Sequence, residues 1–279
     1  MKHLLIVGGS FDFRADFPNY DVVARPLDSV RWLLREDKTL FILDILDATG
    51  ATRVDAVLWR VGAIRPRAQH RQALELIRLA GVPCTNSAQT LLRGFDRLSM
   101  FAELREVGVP LIPFTVALGE SVLERIEPDL PCVLKLGNWH GGLGKARLAM
   151  PETWADARDL ASASEDYATL EPFVDYRRDV RVMAIGAQMW AMSRRSEQWK
   201  VNRGISEIEI IAVPAEIGDW TRRVQTHLAA DMVGLDWIET PDGEWKCLEY
   251  NDVPGLTGWP DAVRRALVVI MREKIENQK

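Results

Sequence analysis

The chain has 279 residues, of which 47% are hydrophobic and 27% charged, and its formal net charge is -5. That length holds one large domain or two to three small ones with real cores, and the composition is that of an ordinary globular protein. The charge balance argues against nucleic acid or a membrane as the partner of the chain as a whole. No stretch approaches the roughly 18 apolar residues that span a bilayer.

The opening MKHLLIVGG breaks its apolar run at Gly8 and Gly9 and meets the charged FDFRAD at once. It is too short for a signal peptide and suits a buried first strand. HLLIVGG, TLFILDI and DAVLWRV predict buried strands, and RQALELIRLAGVP predicts a helix stopped by Gly81 and Pro83. Such alternation predicts a small α/β domain on a parallel sheet, placed at residues 1–92. LLRGFDRLSMFAELREVGVP predicts an amphipathic helix ended by Gly108 and Pro110, linking to a second unit at 93–170.

Beyond Pro110 the texture changes. PCVLKLG predicts a strand, NWHGGLGK a glycine-rich loop, and ETWADARDLASAS a helix. YATLEPFV leads into DVRVMAIGAQMWAMSRRS, whose IGAQ suits a hairpin turn. In the third unit, 171–279, TRRVQTHLAADMVG is helical, LDWIET and EWKCLEY flank the turn PDG, and DAVRRALVVIMREKI closes the chain as a helix. The three cysteines, Cys84, Cys132 and Cys247, are too scattered for a disulfide framework or a zinc motif. Buried thiols in a reducing cytoplasm are the expectation.

Three features carry chemistry. If residues 241–244 form the last hairpin loop, Thr240 faces Trp245, Ile238 faces Cys247, and Asp236 faces Glu249. Asn251 then shares the Glu249 face. Two carboxylates and an amide oxygen suit a hard cation such as magnesium, although a solvated strand face explains the same residues. In PCVLKLGNWHGGLGK, Lys135 interrupts an apolar strand, where a lone ammonium is costly to bury. Gly141, Gly142 and Gly144 let the following backbone wrap an anion, with His140 and Lys145 as further donors. The spacing is not that of the GxxxxGK[ST] loop, and a plain flexible turn is the alternative. Only eight lysines stand against 27 arginines, which sets Lys135 and Lys145 apart. The third feature is a basic run from Arg177 to Arg203, readable as a solvated face except at Arg181, inside a strand. No Ser-His-Asp, Cys-His or zinc pattern is legible.

Together these segments resemble the ATP-grasp superfamily, in its RimK-type and synapsin-like branches. PCVLKLGNWHGGLGKARL, YATLEPFVDYRRDVRVMAIG and QWKVNRG are similar to the synapsin ATP-binding core. DAVLWRVG, TLLRGFDRLSMFAELREVGVP and CLEYNDVPGLTGW are similar to RimK-type amino-acid ligases. The resemblance implies an N-terminal α/β domain followed by central and C-terminal ATP-grasp subdomains with an ATP cleft between them. It also implies ATP with magnesium or manganese, carboxylate and amine substrates that are small molecules or peptides, and room for a homo-oligomer.

The site residues it implies are specific. Lys135 and the loop of His140, Gly141, Gly142 and Gly144 would meet the phosphates, as would Arg97, where the family usually has lysine. Glu171, Pro172, Phe173 and Val174 would hold adenine, mostly through backbone groups. Asp236, Glu249 and Asn251 would bind the metal. Asp179, Arg181, Asn202 and Arg203 would lie near the phosphates and the activated carboxylate, and Arg60 would face the substrate. The implied activity is carboxylate–amine ligation through an acyl phosphate. A synapsin-like ATP-binding regulator is the alternative, and the Glu249/Asn251 pair argues against it.

Overall fold

The computed structural model describes the chain apart from residues 10, 46–49, 63–64, 164–166, 197–198, 201–206 and 278–279. Near the N-terminus β1 (His3–Val7), β2 (Asp21–Arg25), β6 (Ala56–Trp59) and β7 (Cys84–Thr85) form a parallel sheet in the order β2-β1-β6-β7. Leu4, Leu5, Val57 and Leu58 are at most 2% exposed, which is why these strands read as unbroken apolar runs. The helix α1 (Ala68–Ala80) buries Ala73, Leu74 and Ile77 against one face.

TLFILDI departs from expectation. Its strand β4 (Leu40–Asp44) leaves the parallel sheet and pairs antiparallel with β3 (Val30–Leu34) and β5 (Ala51–Arg53). The cause is the turn before it, where the Arg35 amide donates to the Thr39 carbonyl at 3.0 Å and Lys38 takes a φ of 63°. So tight a connection can join only antiparallel strands. The predicted linking helix is likewise two helices, α2 (Ala88–Arg93) and α3 (Arg97–Val107). They break at Gly94, and Asp96 caps the second by accepting from the Ser99 amide at 2.9 Å.

The middle sheet is antiparallel, in the order β10 (Lys145–Leu148), β9 (Cys132–Leu136), β11 (Ala168–Pro172), β8 (Thr115–Ala117). The helices α4 (Glu120–Leu123) and α5 (Pro151–Ser162) cover its Leu134, Leu148 and Leu170 face. The expected boundary at 170/171 falls within β11.

The third sheet runs β14 (Glu207–Ile211), β13 (Gln188–Arg195), β12 (Arg178–Ile185), β15 (Met232–Glu239), β16 (Trp245–Asn251). β12 and β13 turn at Gly186, as IGAQ predicted. Val180, Val182, Leu235 and Trp237 pack one face against α3 and α6 (Ala215–Leu228). The other face changes character along its length. Met183, Ile185 and Met232 pack with α7 (Asp261–Glu276), whereas Asp179, Arg181 and Asp236 occupy the same face farther along. That charged half faces the middle sheet across a cleft. Among the described residues, no helix is long and apolar enough to cross a membrane.

Candidate active site

The wall of the cleft formed by the middle sheet follows from strand register. Lys145 lies opposite Lys135, Lys135 lies opposite Thr169, and Glu171 is two residues farther along the same face. The Lys135 ammonium donates to both Glu171 carboxylate oxygens at 2.6 Å, and both side chains are buried. The strand lysine is therefore compensated by a neighbour that sequence reasoning assigned only to adenine. Burial lowers the Lys145 pKa, with Glu249 opposing.

The loop between β9 and β10 holds Gly141, Gly142 and Gly144 at φ of 65°, 79° and 60°, a region L side chains rarely enter. At Gly144 a Cβ would also sit 2.6 Å from the Trp139 side chain. Arg97 anchors this loop. Its backbone amide donates to the Asn138 side-chain oxygen at 3.0 Å, and its guanidinium donates to the carbonyls of Gly137 (3.2 Å) and Trp139 (2.6 Å). Expected at the phosphates, Arg97 lines the cleft while most of its donors brace the loop. Its Nη1 stands 3.7 Å from Glu249.

The opposite wall is a row of alternating charges. Asp179 faces Arg194 across β12 and β13, Arg181 faces Asp236 across β12 and β15, and Asp236 faces Glu249. Arg181 forks onto both Asp236 oxygens at 2.5 and 2.6 Å, and Arg194 reaches Asp179 at 2.6 Å and Asp236 at 3.3 Å. Burial alone would raise the Asp236 carboxyl, but Arg181 and Arg194 outweigh it and hold it down to about 2. For Asp179 burial wins over Arg194 and pushes the carboxyl up to about 6.

The hairpin register needs one correction. Glu239, not Thr240, faces Trp245, and Ile238 faces Lys246. The expected Asp236–Glu249 pairing survives because Leu248 bulges out of β16 and restores the phase. Asn251 then lies beside Glu249 with its buried amide nitrogen lacking any partner among the described residues. As a donor set, Glu249 and Asn251 fit a hard cation. Asp236 fits less directly, because Arg181 already holds both its oxygens.

Two cavities adjoin here. The narrow cleft, of about 100 Å³, is lined by Lys135, His140, Gly141, Gly142, Glu171 to Val174, Asp179, Asp236 and Glu249. Within it the Phe173 amide is taken by the Pro131 carbonyl at 2.9 Å, and the Arg147 guanidinium lies 3.8 Å from the Phe173 ring. The second cavity, of about 570 Å³, reaches to the C-terminal ends of β1 and β6 and is lined by Arg60, Arg181 and Asn251. The two meet at Arg97, His140, Gly141 and Glu249. Burial lowers the His140 pKa, with Glu249 opposing.

Arg60 is 7% exposed and, among the described residues, bonds only the Pro254 carbonyl (2.8 Å) and the Met232 sulfur (3.6 Å). With no carboxylate beside it among the described residues, burial lowers its pKa to about 10. Asn202 and Arg203 lie outside the described residues. Sequence reasoning missed Asn86, which is fully buried. Its amide bonds the Met232 backbone at both ends (2.7 and 2.8 Å) and the Asp252 carbonyl at 2.8 Å, tying the first domain to the third sheet. Arg194 stood in the basic run but is 4% exposed, at the centre of the charged row.

Residues 96–252 match the family described as synapsin, ATP binding domain. The chain belongs to that family. Synapsin of Drosophila melanogaster is 28% identical over 205 residues, which make up 68% of this chain but only 20% of that protein. Glutamate–LysW ligase ArgX of Sulfolobus acidocaldarius is 24% identical over 215 residues, 71% of this chain and 75% of that one. The fold is shared with D-alanyl-alanine synthetase A of Vibrio cholerae (TM-score 0.74, 12% identity, 99% of each chain). It is shared too with the ATP-grasp ligase PsnB, solved with a precursor variant, Mg and ADP (TM-score 0.70, 17% identity, 98% of each chain). The architecture is therefore that of the ATP-grasp ligases.

Proposed function

We propose that this protein is an ATP- and magnesium-dependent ligase that activates a carboxylate as an acyl phosphate and joins it to an amine, releasing ADP and phosphate. The observation that carries the reading is the junction of the two cavities. A lysine- and glycine-lined cleft suited to a nucleotide opens, at Glu249, onto a separate chamber whose deep cation, Arg60, has no anion beside it among the described residues. A protein that only bound ATP would need the first cavity and not the second.

Lys135, Lys145 and the N–H groups of the glycine loop hold the phosphates, and the segment from Glu171 to Val174 holds adenine. Glu249 and Asn251, with Asp236 behind them, are the residues that would hold magnesium, which supplies charge neutralisation at the phosphates. Arg60 holds a substrate carboxylate in the chamber, while Arg181 is fixed by Asp236 at the mouth. Phosphoryl transfer needs positioning and charge compensation rather than a protein nucleophile, which fits the lack of a catalytic dyad. Loop closure over the phosphates would keep water from the acyl phosphate.

The test is kinetic. Arg60→Ala should raise the carboxylate KM roughly tenfold or more and leave nucleotide affinity unchanged, as for a residue that binds only that substrate. An equal loss of ATP affinity would remove Arg60 from the substrate chamber.

A further inference from the structure

The glycine loop of the narrow cleft has donors to spare. Among the described residues, the amides of His140, Gly141 and Gly142 reach no backbone carbonyl, whereas the Leu143 amide turns back to the His140 carbonyl at 3.2 Å. Successive free N–H groups of this kind suit an anion. Where they point depends on the stem of the loop, whose ends are drawn together where the Leu136 amide donates to the Gly144 carbonyl at 2.7 Å.

That stem is bolted to the first turn of α3. The Asn138 side-chain oxygen accepts from the Arg97 backbone amide and from the Tyr167 hydroxyl (2.6 Å), and the Arg97 Nε and Nη2 donate to the Gly137 and Trp139 carbonyls. Trp139 carries the constraint to the far end of the loop, because its side chain fills the space where a Cβ on Gly144 would stand. Arg97 is 5% exposed, and two of its three guanidinium nitrogens are spent on loop carbonyls while the third stands 3.7 Å from Glu249. Little of it is left for a phosphate. A planar fork can hold two carbonyls and still present a third nitrogen, whereas a lysine ammonium is a point charge without that geometry.

We propose that Arg97 is a positioning residue: it fixes the stem of the glycine loop and so presents the free amides of His140, Gly141 and Gly142 to the nucleotide phosphates. The inference rests on the reading of the narrow cleft as a nucleotide site. It assigns Arg97 an action through the loop backbone and not through the phosphate itself.

Arg97→Lys separates the two roles, because it keeps the charge and removes the fork. Calorimetry with ADP and magnesium, and with adenosine, reads the phosphate and nucleoside ends of the site apart. Hydrogen exchange of amides 137–144 without nucleotide reads the loop, with melting temperature as the folding control. Arg97→Lys should weaken ADP binding roughly tenfold or more, the scale of lost charged hydrogen bonds. It should leave adenosine affinity unchanged and speed exchange in the loop by a similar factor. Asn138→Ala cuts the other tie with no change of charge and should act in the same direction, by roughly threefold. It decides the question if Arg97→Lys does not fold. ADP affinity and loop exchange both retained in Arg97→Lys would overturn the proposal, as would an equal loss of ADP and adenosine affinity. A wild type that binds no ADP would sink the nucleotide reading instead, and loop exchange alone would then decide whether Arg97 braces the loop.

Discussion

At the scale of single residues, the site is governed by which charges are compensated and which are not. Lys135 and Glu171 neutralise each other in a buried pair, so Lys135→Ala should do two things. It should weaken ATP binding by roughly tenfold or more and, by stranding Glu171, destabilise the fold by about 3–5 kcal/mol. Adding Glu171→Gln should recover much of the stability without recovering affinity; calorimetry and denaturant unfolding read the two effects separately. Recovery of both together would make the pair purely structural. Asp252 has the backbone amides of Asp252 and Val253 but no ion-pair partner among the described residues, and burial pushes its carboxyl up to about 7 from an ordinary 3.8. A raised folded-state value means the wild type is penalised where the unfolded carboxyl ionises and the folded one resists. That penalty is absent below about pH 4, grows as pH rises toward 7 and is complete above it. Asp252→Asn should therefore match wild-type stability near pH 4 and exceed it by a few kcal/mol, as an order of magnitude, at pH 8. A pH-independent difference in unfolding free energy would contradict this. Neither relation was legible in the sequence, because a side chain's compensation depends on which strand lies beside it. Arg194 makes the same point: in a run of basic residues it reads as solvent-facing, and only the β12–β13 register buries it between Asp179 and Asp236.

At the scale of elements, apolar periodicity and helix stops were legible, as at α1, α7 and the IGAQ turn. Local backbone events were not. The turn before β4 uses Lys38 at positive φ, with no glycine or asparagine to announce it, so a hairpin strand read as a member of the parallel sheet. The β16 bulge was equally silent, and the pairing of Asp236 with Glu249 was reached through a register one residue out near the turn. The Asn86 junction carried no periodic signal at all. It satisfies two carbonyls and an amide across a domain contact, so Asn86→Ala should cost about 2–4 kcal/mol by leaving them unpaired. A loss below about 0.5 kcal/mol in denaturant unfolding, within the range of ordinary surface changes, would show that the junction is held elsewhere.

At the scale of the whole molecule, three sheets converge on two cavities that share one carboxylate, Glu249. On the proposed reading that convergence favours a ligase over an ATP-binding regulator, because it gives the nucleotide cleft a neighbouring chamber that chemistry can use. The family match and the shared fold place the nucleotide-binding architecture, and turnover is the step to measure. The direct test is ADP and phosphate release from ATP and magnesium across a panel of carboxylates and amines, for wild type and Glu249→Gln, with melting temperature as the folding control. The account expects release that requires a carboxylate and an amine together. It expects Glu249→Gln to stay folded, bind nucleotide weakly and lose turnover by roughly 10² or more, the scale of removing a preorganised charge. Tight ATP binding with no release for any pair, or full turnover in the folded Glu249→Gln variant, would contradict it.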